Sequence, residues 1–380
     1  MVCNGIDRID SFPHLFKKKA LGLITSVSGV NLALQSTIEI LHKSYGLTAL
    51  FAPEHGVRGD RDAGETVDTY TDAETGLLVY SLYRKDSKRL TEEMLARVDA
   101  VVYDIQDVGV RYYTFISTLL LAMEDCAKCG KELIVLDRLN PLGDRVEGNL
   151  LKTEYTSFVG AYPLCMRYGL TAGEFATMAN SEKKMGCKLT VVPCASWQRQ
   201  MLFPQTGNLW MMPSLGMPRF DTALLYPGTC LFEGTNVSEG RGTACPFEII
   251  GAPYISAPAL SREMNAKALP GLLFTPVYFK PTASKHADKA CQGVHLHITD
   301  YAAVEPVRTG VELLSKIAQM YPKDFQILPP SKEGGRPFIS LLTGDSLFEQ
   351  PGWDEKQILA DFETECKAFA EYKKQFHLYD

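Results

Sequence analysis

The sequence predicts an α/β fold: a doubly wound, mostly parallel sheet, followed by a second, smaller C-terminal α/β unit. Two observations carry this. In the first half, short runs rich in Val, Ile and Leu alternate with amphipathic helical patterns, as expected of parallel strands covered on both faces. Beyond a Gly- and Pro-rich stretch, strand and helix patterns start afresh.

In chain order, residues 21–25 read as the first strand, followed by a turn and an amphipathic run over 34–45. Residues 47–52 and 77–82 are the next two apolar runs. Residues 91–98 form a helical pattern that Thr91 is placed to cap. A fourth strand over 100–105 leads into a long amphipathic helix at 113–128, and a fifth strand follows at 132–136. Thr171 with Glu174 three residues later is a capping box, and 189–193 reads as a sixth strand. Residues 208–251 are dense in Gly, Pro, Thr and Ser with aromatics interleaved, which predicts ordered loops lining a site. Strands are expected at 274–279 and 293–299, and helices at 304–321 and 354–376. The expected division is a sheet domain over 1–245 and an auxiliary domain over 246–380.

The 380 residues carry 39 Lys plus Arg against 45 Asp plus Glu, a net charge of −6 that argues against nucleic acid as a partner. No run approaches the roughly 20 apolar residues that span a bilayer. Ten scattered cysteines do not make a disulfide framework, and Cys126 with Cys129 reads as two residues of a helix. The opening Met-Val-Cys-Asn-Gly has no basic region and no apolar stretch of a leader. The expectation is an exported, for instance periplasmic, protein in mature form, with a cytoplasmic one as the alternative, and a monomer or weak homodimer. The turn after the first strand lacks a GxGxxG and no P-loop occurs, so no nucleotide is expected. His295 and His297 share a strand face without an acidic or Cys partner nearby in sequence, so no metal is expected.

Ligands of doubly wound sheets sit beyond the carboxyl ends of the strands. Three strand ends deliver carboxylates there, each with an Arg in the same loop. Glu54 and His55 follow the second strand, with Arg58 after them; an ion pair of Glu54 with Arg58 or Arg61 is the structural alternative. Asp104, Gln106, Asp107, Arg111 and Tyr112 follow the fourth, and Asp137, Arg138 and Asn140 the fifth. A carboxylic acid at the rim of a low-dielectric crevice suits general-acid work. Asp104 reads equally as a structural acceptor, and Asp137–Arg138 reads as an internal ion pair fixing its loop. The densest polar loop, residues 233–243, offers Glu233, Asn236, Glu239 and Arg241 among glycines, a repertoire suited to a sugar bearing a carboxylate.

These segments together resemble the exo-β-N-acetylmuramidase family, the NamZ-like glycoside hydrolases formerly called YbbC-like. The resemblance is carried by Pro53-Glu54-His55-Gly56, by Tyr103 to Thr114, by Val135-Leu136-Asp137-Arg138, by Gly169-Leu170-Thr171 and by the Glu233 to Thr243 loop. It implies a Rossmann-like domain with a smaller C-terminal domain, and a cleft between them. It further implies removal of terminal β-linked N-acetylmuramic acid from peptidoglycan fragments without a cofactor, with Glu54 as catalytic acid. Asp107 or Asp104 is then the candidate second carboxylate. Arg58, Arg111 or Arg241 is the candidate partner of the lactyl carboxylate, and Tyr112 and Trp210 are candidate sugar platforms. Tyr168 and Gly216 stand where the family pattern has His and Asn. The rival expectations are a non-catalytic binder of such fragments and a related glycosidase with shifted sugar specificity.

Overall fold

A computed structural model describes residues 1–59, 64–65 and 68–380. The strands are β1 (Leu21–Thr25), β2 (Leu47–Ala52), β3 (Tyr70–Thr71), β4 (Leu78–Ser81), β5 (Ala100–Asp104), β6 (Glu132–Leu136), β7 (Lys188–Val192), β8 (Ile249–Ala252), β9 (Leu272–Phe279) and β10 (Cys291–Ile298). The helices are α1 (Thr37–Ser44), α2 (Glu92–Ala96), α3 (Phe115–Lys128), α4 (Ala172–Glu182), α5 (Phe220–Thr229), α6 (Ala257–Ala266), α7 (Pro306–Met320), α8 (Phe338–Thr343) and α9 (Glu355–Tyr372).

The first seven strands form one sheet in the order β3-β4-β2-β1-β5-β6-β7, parallel except for the antiparallel β3. The chain runs outward from β1 to β2 and β4, then returns to place β5 on the other side of β1. Alternate strand residues face opposite ways. Leu21, Leu23, Ala100 and Val102 pack under α1 and the N-terminal 3₁₀ turns. Ile24, Val101, Tyr103 and Val135 pack under α2, α3 and α4. This is the Rossmann-like, doubly wound sheet that the alternating apolar runs predict.

The second, smaller unit is built on the antiparallel sheet β8-β10-β9. Its core is continuous with that beneath α3 and α4, through Phe232, Phe247, Val294 and Leu314. Helix α5 crosses α7 so closely that a side chain at Gly228 would strike the carbonyl of Pro306 and the backbone of Gly310.

Several elements differ from expectation for local reasons. The helix after β1 begins at Thr37, because Ser36 turns its hydroxyl back to accept the Ile38 N–H (3.1 Å) and 34–36 stay outside it. The irregular stretch contains α5, whose pattern is hidden by Pro227 in its last turn and by burial of nine of its ten residues, all but Asp221. Strands β3 and β8 and helices α6 and α8 are short or weakly patterned and were not anticipated.

Candidate active site

A cavity of about 670 Å³ lies beyond the carboxyl ends of β2 and β5 and is completed by residues of the C-terminal unit. Glu54 enters it two residues after β2 ends. The turn behind it is tight: His55 has φ 71° and Gly56 φ 76°. A histidine held in the left-handed region is strained by about 1 kcal/mol or more. His55 also lines the cavity, with its ring edge-on to Phe115 at 6.4 Å. Thr114, immediately before α3, donates its hydroxyl to Glu54 Oε2 (2.6 Å), and the Gly64 N–H reaches Oε1 (2.9 Å). The Tyr83 phenol also bonds to Glu54; burial and that carboxylate push it far above the usual phenol range.

The opposite wall comes from the polar loop. Glu233 Oε1 receives Arg241 Nε at 2.7 Å and Nη2 at 2.6 Å. Arg241 lies 4.8 Å over the Phe247 ring and 3.6 Å from Glu239, which in turn pairs with Lys285 at 2.7 Å. Burial, with Glu239 close by, raises the Glu233 pKa, while Arg241 opposes the rise. Glu54 and Glu233 are the two carboxylates among the described residues lining this cavity. Aromatic groups complete it: Tyr112 and Tyr226 pack edge-on at 5.6 Å, and Tyr83 lies 5.9 Å from Phe158.

Of the residues singled out in the sequence, Glu54, His55, Tyr112, Glu233 and Arg241 meet in this cavity. The others are placed elsewhere, and their roles are corrected accordingly. Asp104 is fully buried; Arg138 holds it through Nε (2.6 Å) and Nη2 (3.0 Å), and Thr37 donates to it as well. It is a structural acceptor. Arg138 therefore pairs with Asp104, while Asp137 accepts from Thr171 (2.7 Å), Gly173 (2.7 Å) and Tyr379. Asp107 is buried outside the cavity lining, with Oδ2 held by Tyr168 and the Gly109 N–H (2.7 Å) and Oδ1 without a partner among the described residues. Burial pushes its pKa up to about 7. Arg111 is 1% exposed and donates to the carbonyls of Asn149, Leu164, Leu342 and Thr343. Without a direct ion pair among the described residues, burial draws its pKa down to about 10.

Arg58 is taken by Asp72 (2.9 Å) and Glu74 (3.0 Å), and Arg61 lies outside the described residues. Asn140 spends its amide on the Leu170 carbonyl and the Leu142 N–H, and Asn236 on Asp324, Tyr254 and Gln326. Glu239 stands behind Arg241, not in the lining. Gln106 and Trp210 line a different cavity. Tyr168, where the family pattern has His, touches Asp107 outside the lining, whereas Gly216 forms part of the wall, next to Arg241 Nη1.

Tyr226 and Phe247 line the cavity from the 208–251 stretch expected to border a site, whereas sequence reading missed Thr114, Tyr83 and Phe158 as lining residues. Tyr83 and Thr114 had a signal, since both follow strands whose carboxyl ends face the site. Phe158 had none, because only folding brings residues 158–159 beside 83.

His295 does acquire the partners its sequence neighbourhood lacks: Cys245, Glu248 and His295 bring ligand-type atoms within 4.8 Å of one another. Arg219, however, already grips Glu248 through Nε (2.8 Å) and Nη2 (2.5 Å); against the cost of burial, His295, Arg219 and Thr222 together hold the Glu248 pKa down at about 2. A cation there would have to displace a guanidinium. Cys126 lies inside α3 with Cys129 just past its end, and the ten cysteines are free thiols.

Comparison with known proteins agrees with this architecture. The N-terminal domain profile of exo-β-N-acetylmuramidase NamZ matches residues 21–221, and the C-terminal profile matches residues 224–379. A curated relative from Bacillus subtilis (strain 168), peptidoglycan β-N-acetylmuramidase NamZ, is 42% identical over the whole of this chain and 91% of its own length. Two crystal structures of DUF1343 family proteins from Bacteroides fragilis superpose over the whole of this chain and 99% of theirs. Their TM-scores are 0.90 and 0.79, at 34% and 27% identity. The chain thus belongs to the exo-β-N-acetylmuramidase NamZ family.

Proposed function

We propose that this protein is a glycoside hydrolase that releases terminal β-linked N-acetylmuramic acid from the non-reducing end of peptidoglycan fragments. Glu54 is its general acid and Glu233 its second carboxylate. The observation that carries this reading is the pairing of two glutamates in one aromatic-walled cavity, alongside the Arg241 guanidinium. The Thr114 and Tyr83 hydroxyls donate to an ionised Glu54 and accept from a protonated one, so the same geometry serves both states of a proton donor. Glu233 replaces Asp107 and Asp104 in the two-carboxylate arrangement that glycosidases use to meet an oxocarbenium-like transition state. Arg241 is the one of the three candidate arginines that lines the cavity, and it takes the role of partner to the lactyl carboxylate. The B. subtilis relative bears the name of a peptidoglycan muramidase, which supports the sugar assignment.

The test uses wild type, Glu54→Gln and Glu233→Gln with muramyl-glucosamine disaccharide and with a chromogenic muramic acid glycoside, measuring free N-acetylmuramic acid. Loss of release from the disaccharide in both variants is expected. A glycoside with a good leaving group needs less acid assistance, so it should partly rescue Glu54→Gln alone. Full activity of Glu54→Gln on the disaccharide would remove it as the acid. Binding of the sugar without release by wild type would favour the non-catalytic reading.

A further inference from the structure

A second cavity, of about 290 Å³, lies at the same edge of the sheet but at the β1/β5 junction, where the order of the strands reverses. Open α/β sheets place ligands at that junction. Its floor is polar and buried: Ser28 follows β1, Gln106 follows β5 and Arg138 follows β6, at 1%, 7% and 5% exposure. Gln106 donates its amide nitrogen to the Asp107 and Leu139 carbonyls (2.8 and 2.9 Å), which leaves Oε1 without a partner among the described residues. Arg138 spends Nε and Nη2 on Asp104 and the Val30 carbonyl, which leaves Nη1 likewise. At the rim, Asn208 Oδ1 is buried and unpartnered. The walls are apolar, formed by Leu32 and by Trp210, whose indole N–H is tied to the Met217 carbonyl (3.1 Å).

We propose that this cavity binds one uncharged acetamido-pyranose, a sugar of the N-acetylglucosamine type. The volume is just under the roughly 300–1,000 Å³ of drug-sized sites, which limits the ligand to about one ring. An acceptor at Gln106 and a donor at Arg138 match the N–H and C=O of an acetamido group. Both atoms open onto the cavity, where a ligand that completes both exchanges their water for hydrogen bonds worth about 0.5–1.5 kcal/mol each. The walls suit the methyl and the apolar face of a pyranose. The Arg138 charge is cancelled by Asp104, and Asp7 adds a carboxylate close to Arg138, so a sugar bearing its own carboxylate is repelled. This site is separate from the Glu54–Glu233 cavity, and its test does not depend on turnover there.

The experiment titrates N-acetylglucosamine into wild type, following tryptophan fluorescence and saturation transfer to the acetyl methyl. The same titration is made with glucose, with N-acetylmuramic acid and with the N-acetylglucosamine disaccharide. Saturable binding with a Kd of about 1–10 mM is expected, about ten-fold weaker for glucose; for N-acetylmuramic acid, which also fits the Glu54–Glu233 cavity, only the part of the signal that Leu32→Trp removes is assigned here, and that part should be about ten-fold weaker. Leu32→Trp, which fills the cavity from its rim, should weaken binding at least about ten-fold while release from the chromogenic muramic glycoside continues. Asn208→Ala, a milder change, should weaken it about three-fold. Tighter binding of the disaccharide would identify a glycan chain as the source of the sugar, and equal binding the free monosaccharide; both support the site. Absence of saturation in wild type, unchanged affinity in Leu32→Trp, preference for glucose, or a Leu32→Trp-sensitive signal stronger for N-acetylmuramic acid than for N-acetylglucosamine would overturn it.

Discussion

Replacing Arg111 with Met separates a structural from a substrate-binding role at this position. Its guanidinium reaches four backbone carbonyls: Asn149 (2.8 Å) and Leu164 (2.5 Å) in the loops beyond β6, and Leu342 (2.8 Å) and Thr343 (2.7 Å) in α8. Hydrogen bonds from a charged donor contribute about 1.5–3 kcal/mol each, so the four are worth roughly 6–12 kcal/mol. Against this stands the burial of a charge that has no direct ion pair among the described residues and is only partly offset by Glu365. A pKa drawn from 12.5 to about 10 corresponds to a cost of about 3 kcal/mol, which Met recovers. The net loss is then of the order of 5 kcal/mol, as large as the whole stability of many domains. Arg111→Lys keeps the charge but offers at most three donors from one point, so about half that loss is expected. Urea unfolding at pH 7 reads both, with the KM for muramyl-glucosamine disaccharide measured on whatever folds. The reasoning fails if Arg111→Met unfolds at the wild-type midpoint, and a ten-fold rise in KM at unchanged stability would make Arg111 a substrate ligand after all.

Asp107 should leave a pH signature. Its folded pKa of about 7 lies above the ordinary 3.8, so its contribution to stability is fully present below about pH 4 and is lost as pH rises through 7. The loss is about 4 kcal/mol, and Asp107→Asn should flatten that part of a urea-midpoint series from pH 4 to 8. Asp104→Asn leaves Arg138 buried beside a neutral amide; a loss of about 3–5 kcal/mol is expected by calorimetry, and one below about 1 kcal/mol would sink the structural assignment. Gly228→Ala drives a methyl into the Pro306 carbonyl at the α5–α7 crossing and should lower the melting temperature, whereas Gly186→Ala, at φ 67°, meets no described atom within 4 Å and serves as a strain-only control. Arg241→Met should raise the KM for muramic acid glycosides while glycosides lacking the lactyl carboxylate are affected less; equal effects on both would assign Arg241 to Glu233 alone.

The central β-strands were legible because a strand buried on both faces must be apolar throughout. Five of them begin and end within one residue of the reading, at β1, β2, β4, β5 and β6, and so does the edge strand β7. Helix α4 was legible from its capping box, which the structure closes reciprocally between Thr171 and Glu174. Helix α5 was not, because a helix buried on every side has no polar stripe to give it period, and Pro227 and Gly228 read as a turn. At the site, Glu54 and the Glu233–Arg241 loop could be nominated by their residue types and their place after an apolar run or among glycines.

What the sequence alone determined, then, was which polar groups stand at strand ends and in the Gly-rich loop, because local pattern places those positions. Tertiary structure alone decided which of them meet. Asp104, Asp107 and Arg111 share their loop's chemistry with true lining residues, but whether a charge faces a cavity or a buried partner depends on groups far along the chain. Asp104 waits on Arg138, Asp107 on Tyr168, and Arg111 on carbonyls more than 200 residues away in α8. Glu233, by contrast, is carried to Glu54 by the packing of the C-terminal unit on the sheet. Burial and pairing are set by these long-range contacts, and no short window of sequence contains them.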